Sequence, residues 1–180
     1  MNEQVDEFEF FLEKIWSDGF PVVTPTEERI ARILGGTKRD PEEVIGPIPP
    51  AMETATVRDV AVPALMAGCR PEYLPVVIGA VELMLRDEFN VNGVQGTMHG
   101  VAPMMIVSGP YAAEIGIHGG NGCMGPGFRA NATIGRAIRL ILTNLGAGIP
   151  GVSSMTIFGM PSRYTYCLAE NMEDSPWASL

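Results

Sequence analysis

Between residues 6 and 16, acidic positions are interleaved with Phe8, Phe11, Leu12 and Ile15. This pattern predicts an amphipathic helix that Asp18-Gly19 ends. The run Thr24-Pro25-Thr26-Glu27 predicts a second helix start. Thr24 can cap it, Pro25 suits the first helical position and Glu27 closes a capping box. Ile30 and Ile33 carry that helix forward, and Gly35-Gly36 stops it. Residues 38–50 are charged and proline-rich, and read as a connector that crosses the surface or wraps a partner. Thr56 predicts the cap of a helix toward Met66, bent or broken near Pro63. Pro71 opens a further helix to about Leu85. Residues 94–97 and 104–108 read as short strands. A glycine-rich stretch at 116–127 then leads into a long helix over 130–145. Two more strands are expected near 155–158 and 163–169, and an irregular acidic tail follows.

This order predicts an α/β chain of the α+β kind, folded as a single compact domain. Residues 1–60 form a helical N-terminal arm and connector, 61–170 an α/β core, and 171–180 the tail. A repeat is also suggested. Gly93-Val94 recurs as Gly151-Val152 and Pro103 as Pro161, both 58 residues on, while Ile78-Gly79 recurs as Ile134-Gly135 after 56. Two α-β-β pseudo-repeats around a central glycine-rich site would give this spacing.

Composition narrows the function. Hydrophobic residues make up 46% of the 180, enough for a real core, and charged residues only 18%, which suits a surface partly covered by other subunits. A homo- or hetero-oligomer is therefore expected. Net charge is −9, but residues 1–60 hold thirteen acids against six bases. From Asn90 to Arg163 the only acid is Glu114, against Arg129, Arg136, Arg139 and Arg163. A locally basic region in an acidic protein argues against nucleic acid and fits a small anionic substrate. Arg136 and Arg139 themselves read as solvated helix-face residues. Three cysteines without a CxxC pair, and no leader-like segment, fit reduced thiols in a cytoplasmic protein. No apolar run approaches the roughly 18 residues of a membrane span.

Cys69 is the leading chemical candidate. It stands just before a helix start at Pro71, where free N–H groups and the helix dipole favour an anion, and Arg70 adds positive charge. Both lower a thiol pKa and make a nucleophile; a buried structural cysteine is the alternative. His99, in the turn Thr97-Met98-His99-Gly100, is a candidate acid/base or an exposed turn residue. The loop Gly116-Ile117-His118-Gly119-Gly120-Asn121-Gly122-Cys123-Met124-Gly125-Pro126-Gly127 ends at a helix start, where a carboxylate or phosphate could rest beside Arg129 and Asn131. It matches neither the P-loop nor the dinucleotide fingerprint. The candidate substrate-binding set is Arg70, Gly127, Arg129, Asn131 and Thr133. Cys69, His99, His118 and Cys123 are soft ligands for copper or zinc, though no pair has a recognised metal spacing, and the sequence leaves the cofactor open. Glu170 follows the last strand and is either a catalytic or a solvated carboxylate.

Four runs carry a resemblance: residues 20–29 (FPVVTPTEER), 66–73 (MAGCRPEY), 125–136 (GPGFRANATIGR) and 166–171 (YCLAEN). They are similar to the domain that accompanies UGSC-motif (seleno)proteins, and the resemblance covers nearly the whole chain. The UGSC motif itself is absent here, so the chain resembles the companion and not the bearer. The resemblance implies thiol or selenol chemistry shared between two components, with Cys69, His99, Arg129, Asn131 and Thr133 at matching positions. His118 and Cys123 depart from it.

Two functions follow as expectations. The first is an enzyme or enzyme subunit acting on a small carboxylate-like anion through the Cys69 thiolate, with His99 as acid/base, in a lyase, hydratase or thiol-dependent redox step. The second is a non-catalytic companion of a UGSC-type partner docked on the glycine-rich loop, with Cys69 buried and unreactive. A soft-metal binding protein is a third.

Overall fold

Thr56 acts as its position predicts. Its hydroxyl accepts the Asp59 N–H at 3.2 Å, and the Asp59 carboxylate accepts the Thr56 N–H at 2.9 Å, a reciprocal capping box. The helix it opens, α3 (Val57–Met66), buries Val57, Val60, Ala61 and Ala64 completely and runs through Pro63 without a break. The structure is a computed structural model and describes residues 6–178.

The first helices differ in detail from expectation. α1 (Glu7–Leu12) is shorter and is capped by Asp6. α2 (Glu27–Leu34) is capped by Thr26, whose side chain accepts from Arg29. Thr24 instead donates its hydroxyl to Glu7, and its carbonyl accepts the Arg29 guanidinium, so Pro25 precedes the helix. The expected connector folds as a hairpin of β1 (Val44–Ile48) and β2 (Glu53–Thr56). Arg39 fastens it by ion pairs to Glu43 at 2.7 Å and to Glu82 at 2.6 Å. Glu82 lies on α4 (Leu74–Met84), which continues from a single 3-10 turn at Pro71–Tyr73.

Residues 94–97, expected as a strand, belong to α5 (Val91–Gly96). Asn90, in the left-handed region at φ 51°, caps it by accepting the Gly93 N–H, and this local bond wins over the short apolar alternation. β3 (Met105–Val107) and, after the short α6 (Pro110–Glu114), β4 (Cys167–Ala169) pair in parallel, Met105 opposite Cys167. Residues 155–158 form no strand, so neither expected α-β-β unit has its first strand. Among the described residues the fold is α+β, with seven α-helices and two two-stranded sheets.

The central element is α7 (Arg129–Asn144). It buries Ala130, Ile134, Ala137, Leu140 and Ile141 against α3, α4 and β4. A Cβ at Gly135 would stand 2.5 Å from the Tyr166 nitrogen and 2.2 Å from the Thr165 hydroxyl, so only glycine lets the chain leading to β4 lie on this helix. One hydrophobic cluster runs from Val22 to Ala169 and takes in Ile30, Ile33 and Ile48. The segment expected as an arm is thus part of the core. Among the described residues no helix is long and apolar enough to cross a membrane.

Candidate functional site

The start of α7 gathers most of the residues singled out in the sequence, and it closes them on the chain itself. Asn131 is 4% exposed. Its Oδ1 accepts the His118 N–H at 2.8 Å, and its Nδ2 donates to the carbonyls of His118 and Cys123 at 2.9 and 3.1 Å. The side chain thereby clamps the glycine-rich loop. Arg129 donates twice to the Gly68 carbonyl, at 3.0 and 3.3 Å, and ties α7 to the end of α3. Thr133 donates to the Arg129 carbonyl at 2.9 Å. Gly127, at φ 117°, supplies the turn into the helix. The His118 ring stacks on Phe128 with centroids 3.9 Å apart.

Cys69 lies inside the core at 6% exposure. Burial pushes its thiol up to about 12, against an opposing hydrogen bond from Thr133 and the charges of Arg129 and Arg136. This reverses the lowered pKa expected from a neighbouring helix start. The physical reason is desolvation, which outweighs a short 3-10 turn and an arginine pointing outward. Arg70 is 54% exposed and only 3.7 Å from Glu72. Cys167 is likewise buried and pushed up to about 12. His99 is exposed on a bend, its N–H on the Thr97 hydroxyl. The bend abuts a second loop through the Met98 carbonyl, which accepts the Ile157 N–H at 3.1 Å. Among the described residues no group of three or more His, Cys, Asp or Glu side chains is placed to hold a metal, so Cys69, His99, His118 and Cys123 do not converge. Glu170, beyond β4, accepts the hydroxyl proton of Ser108, beyond β3.

The opposite half of α7 presents a different arrangement. Arg136 is neutralised: its Nε and Nη2 bond both oxygens of Asp18 at 2.6 and 2.9 Å, and Nη2 also reaches the carbonyls of Phe20 and Pro21. One turn on, Arg139 donates to the Gly148 carbonyl. Arg163, in the 3-10 turn Pro161–Arg163, donates to the Ser154 hydroxyl at 2.7 Å and, more distantly, to Gln95 Oε1 at 3.4 Å. Neither makes an ion pair with a carboxylate among the described residues. Burial pulls Arg139 down to about 10, with Arg163's charge adding to the effect and Asp18 opposing it, and burial also lowers Arg163. Both guanidiniums remain charged at neutral pH.

These two arginines line a cleft of about 510 Å³ together with Ser154, Thr156, Ile157 and Phe158. Among the described residues, four buried side-chain polar atoms have no hydrogen-bond partner. Two of them, Arg163 Nη1 and Thr156 Oγ1, belong to this lining. The other two, Gln95 Nε2 and Ser162 Oγ, line an adjoining pocket of about 20 Å³ that shares Arg139 and Arg163. Buried polar groups are nearly always paired, by protein or by ordered water, so this concentration makes the cleft a candidate ligand site.

Gly148 leaves room for Gln95. A Cβ at Gly148 would stand 2.1 Å from Gln95 Nε2 and 2.8 Å from the Leu142 carbonyl. Its absence lets Gln95 lie against the backbone within reach of Arg163, while the Gly148 carbonyl holds Arg139. The sequence reading placed a candidate anion site beside Arg129 and took Arg139 for a solvated residue; in the structure Arg129 is bonded to the Gly68 carbonyl, and Arg139 is part-buried and lines the cleft. A usable signal was present: two arginines and the hydroxyls of Ser153, Ser154 and Thr156 within 139–163, a stretch with no acid. Comparisons with protein-family models, curated proteins and solved structures return no match.

Proposed function

We propose that this chain is an enzyme or enzyme subunit that binds a small carboxylate-class anion in the Arg139–Arg163 cleft. The observation that carries this reading is the buried, unpartnered Nη1 of Arg163 beside the unpartnered hydroxyl of Thr156. Holding one nitrogen of a charged guanidinium out of water without a partner is costly, and an anion offsets that cost. The planar fork of arginine matches a carboxylate with two parallel hydrogen bonds. The cleft volume lies in the range of small-molecule sites, about 300–1,000 Å³. A thiolate step at Cys69 would require the core to open first, so the anion cleft and not the thiol stands at the centre of the proposal.

Titration calorimetry of the full chain with butyrate at low ionic strength tests it. Saturable binding is expected in the unaltered protein, and Arg163→Met should weaken it at least about tenfold, the loss of one charge-assisted contact. Binding that ignores this substitution would remove the site.

One surface observation favours a second reading. Phe158 is 98% exposed and Ile157 65%, and both line the cleft. Exposed apolar patches of this kind mark protein contacts. Here the chain is a non-catalytic companion of a UGSC-type partner that covers this loop, with Cys69 buried and unreactive. Absence of any anion binding in the same titration would leave this reading standing.

A further inference from the structure

The proposed anion site has a charge pattern that narrows its ligand, and the narrowing rests on that reading. Asp18, the acidic residue lining the cleft, has both oxygens engaged by Arg136 and is 4% exposed. It ion-pairs with Arg136 and leaves Arg139 and Arg163 without an ion pair among the described residues. Each is held by neutral oxygen acceptors and on a separate element: Arg139 on α7 by the Gly148 carbonyl, Arg163 on the 161–163 turn by Ser154 and Gln95. They are two independently anchored forks in one cleft. A monoanion pairs with one and leaves the other, part-buried beside it, without an ion pair.

A single doubly charged group such as phosphate fits less well. Arg139 and Thr143, both in the lining, lie on the C-terminal half of α7, away from the N–H groups at its start. Phosphate sites use helix N-termini and backbone N–H cradles, and a helix C-terminus repels concentrated negative charge. Ile157 and Met160 also line the cleft and suit a hydrocarbon spacer. We infer that the ligand is a small dicarboxylate, one carboxylate on the fork of Arg163 and the other on that of Arg139.

The test is calorimetry of the full chain with succinate, butyrate and inorganic phosphate at equal ionic strength. Succinate and butyrate have the same carbon count and differ by one carboxylate. Succinate should bind about tenfold or more tightly than butyrate, the worth of a second charge-assisted pair. Arg139→Met should bring succinate down to the affinity of butyrate, and Arg139→Lys, which keeps the charge, should restore part of the advantage. If Arg139→Met does not fold, as judged by its circular-dichroism melt, the succinate-to-butyrate ratio of the unaltered protein still decides. Equal affinities that both fall in Arg163→Met would overturn the dicarboxylate and keep the anion site. Phosphate binding more tightly than succinate would overturn it in favour of a phosphate ligand. No binding of any of the three would overturn the underlying site as well.

Discussion

The two halves of α7 carry the same kinds of side chain and use them in opposite ways. At the start, Arg129, Asn131 and Thr133 direct their polar atoms to backbone groups of the chain and hold the glycine-rich loop and the end of α3 in place. Toward the end, Arg139 and its neighbour Arg163 stand in a cleft with no carboxylate of the described chain paired to them, and one guanidinium nitrogen has no partner. Residue type alone does not separate an anion site from a structural clamp. The difference lies in hydrogen-bonding capacity left open toward a cavity, and in charge left without a counter-ion.

The comparison can be broken most sharply at the thiols. With burial pushing Cys69 up to about 12, its thiolate is far scarcer at pH 8 than that of a free cysteine. Native alkylation followed by mass spectrometry should label Cys123, which lies part-exposed on the loop, and spare Cys69 and Cys167 until the protein unfolds. Labelling of Cys69 as fast as Cys123 would reopen the start of α7 as a reactive centre. The raised values also set a pH dependence. The stability that these neutral thiols contribute is fully present below about pH 9 and is lost as pH rises through about 12.

The clamp is tested next by Asn131→Ala, which removes three hydrogen bonds from a buried amide and leaves two loop carbonyls and one N–H without it. A loss of about 2–3 kcal/mol is expected in urea unfolding. A loss under about 0.5 kcal/mol would mean that the loop needs no clamp. The smallest effect is expected at the other half. Arg163→Met removes a part-buried charge that has no ion pair but also takes a donor from the buried Ser154 and Gln95, and the two effects should offset to leave stability within about 1 kcal/mol. A large destabilisation there would make Arg163 a structural residue like Arg129 and erase the contrast.

Much of the local architecture was legible. The Thr56 capping box needs partners three residues apart, and the apolar stripe of α7 and the helix start at Pro71 are equally local. The same locality explains two misreadings. Thr24, the expected cap, gives its hydroxyl to Glu7 from 17 residues away, and Thr26 caps the helix. The alternation at 94–97 resembled a strand until Asn90 capped it as a helix. β3 and β4 are three residues each and exist through pairing across 62 positions, which no local pattern announces.

By itself, the sequence determined the helices α1 to α4 and α7, a core-sized store of apolar side chains, and an acid-poor region carrying four arginines. Those properties depend on composition and on neighbours within one or two helical turns. Which arginine is neutralised was decided only by the tertiary structure. Asp18 reaches Arg136 from 118 residues away, Gly68 receives Arg129 from 61, and Gln95 approaches Arg163 from 68. The same holds for Cys69, whose thiol is governed by desolvation and so by everything packed around it. Charge and burial become chemistry only where distant segments meet, because a guanidinium or a thiol responds to the atoms within a few ångströms of it and not to its neighbours in sequence.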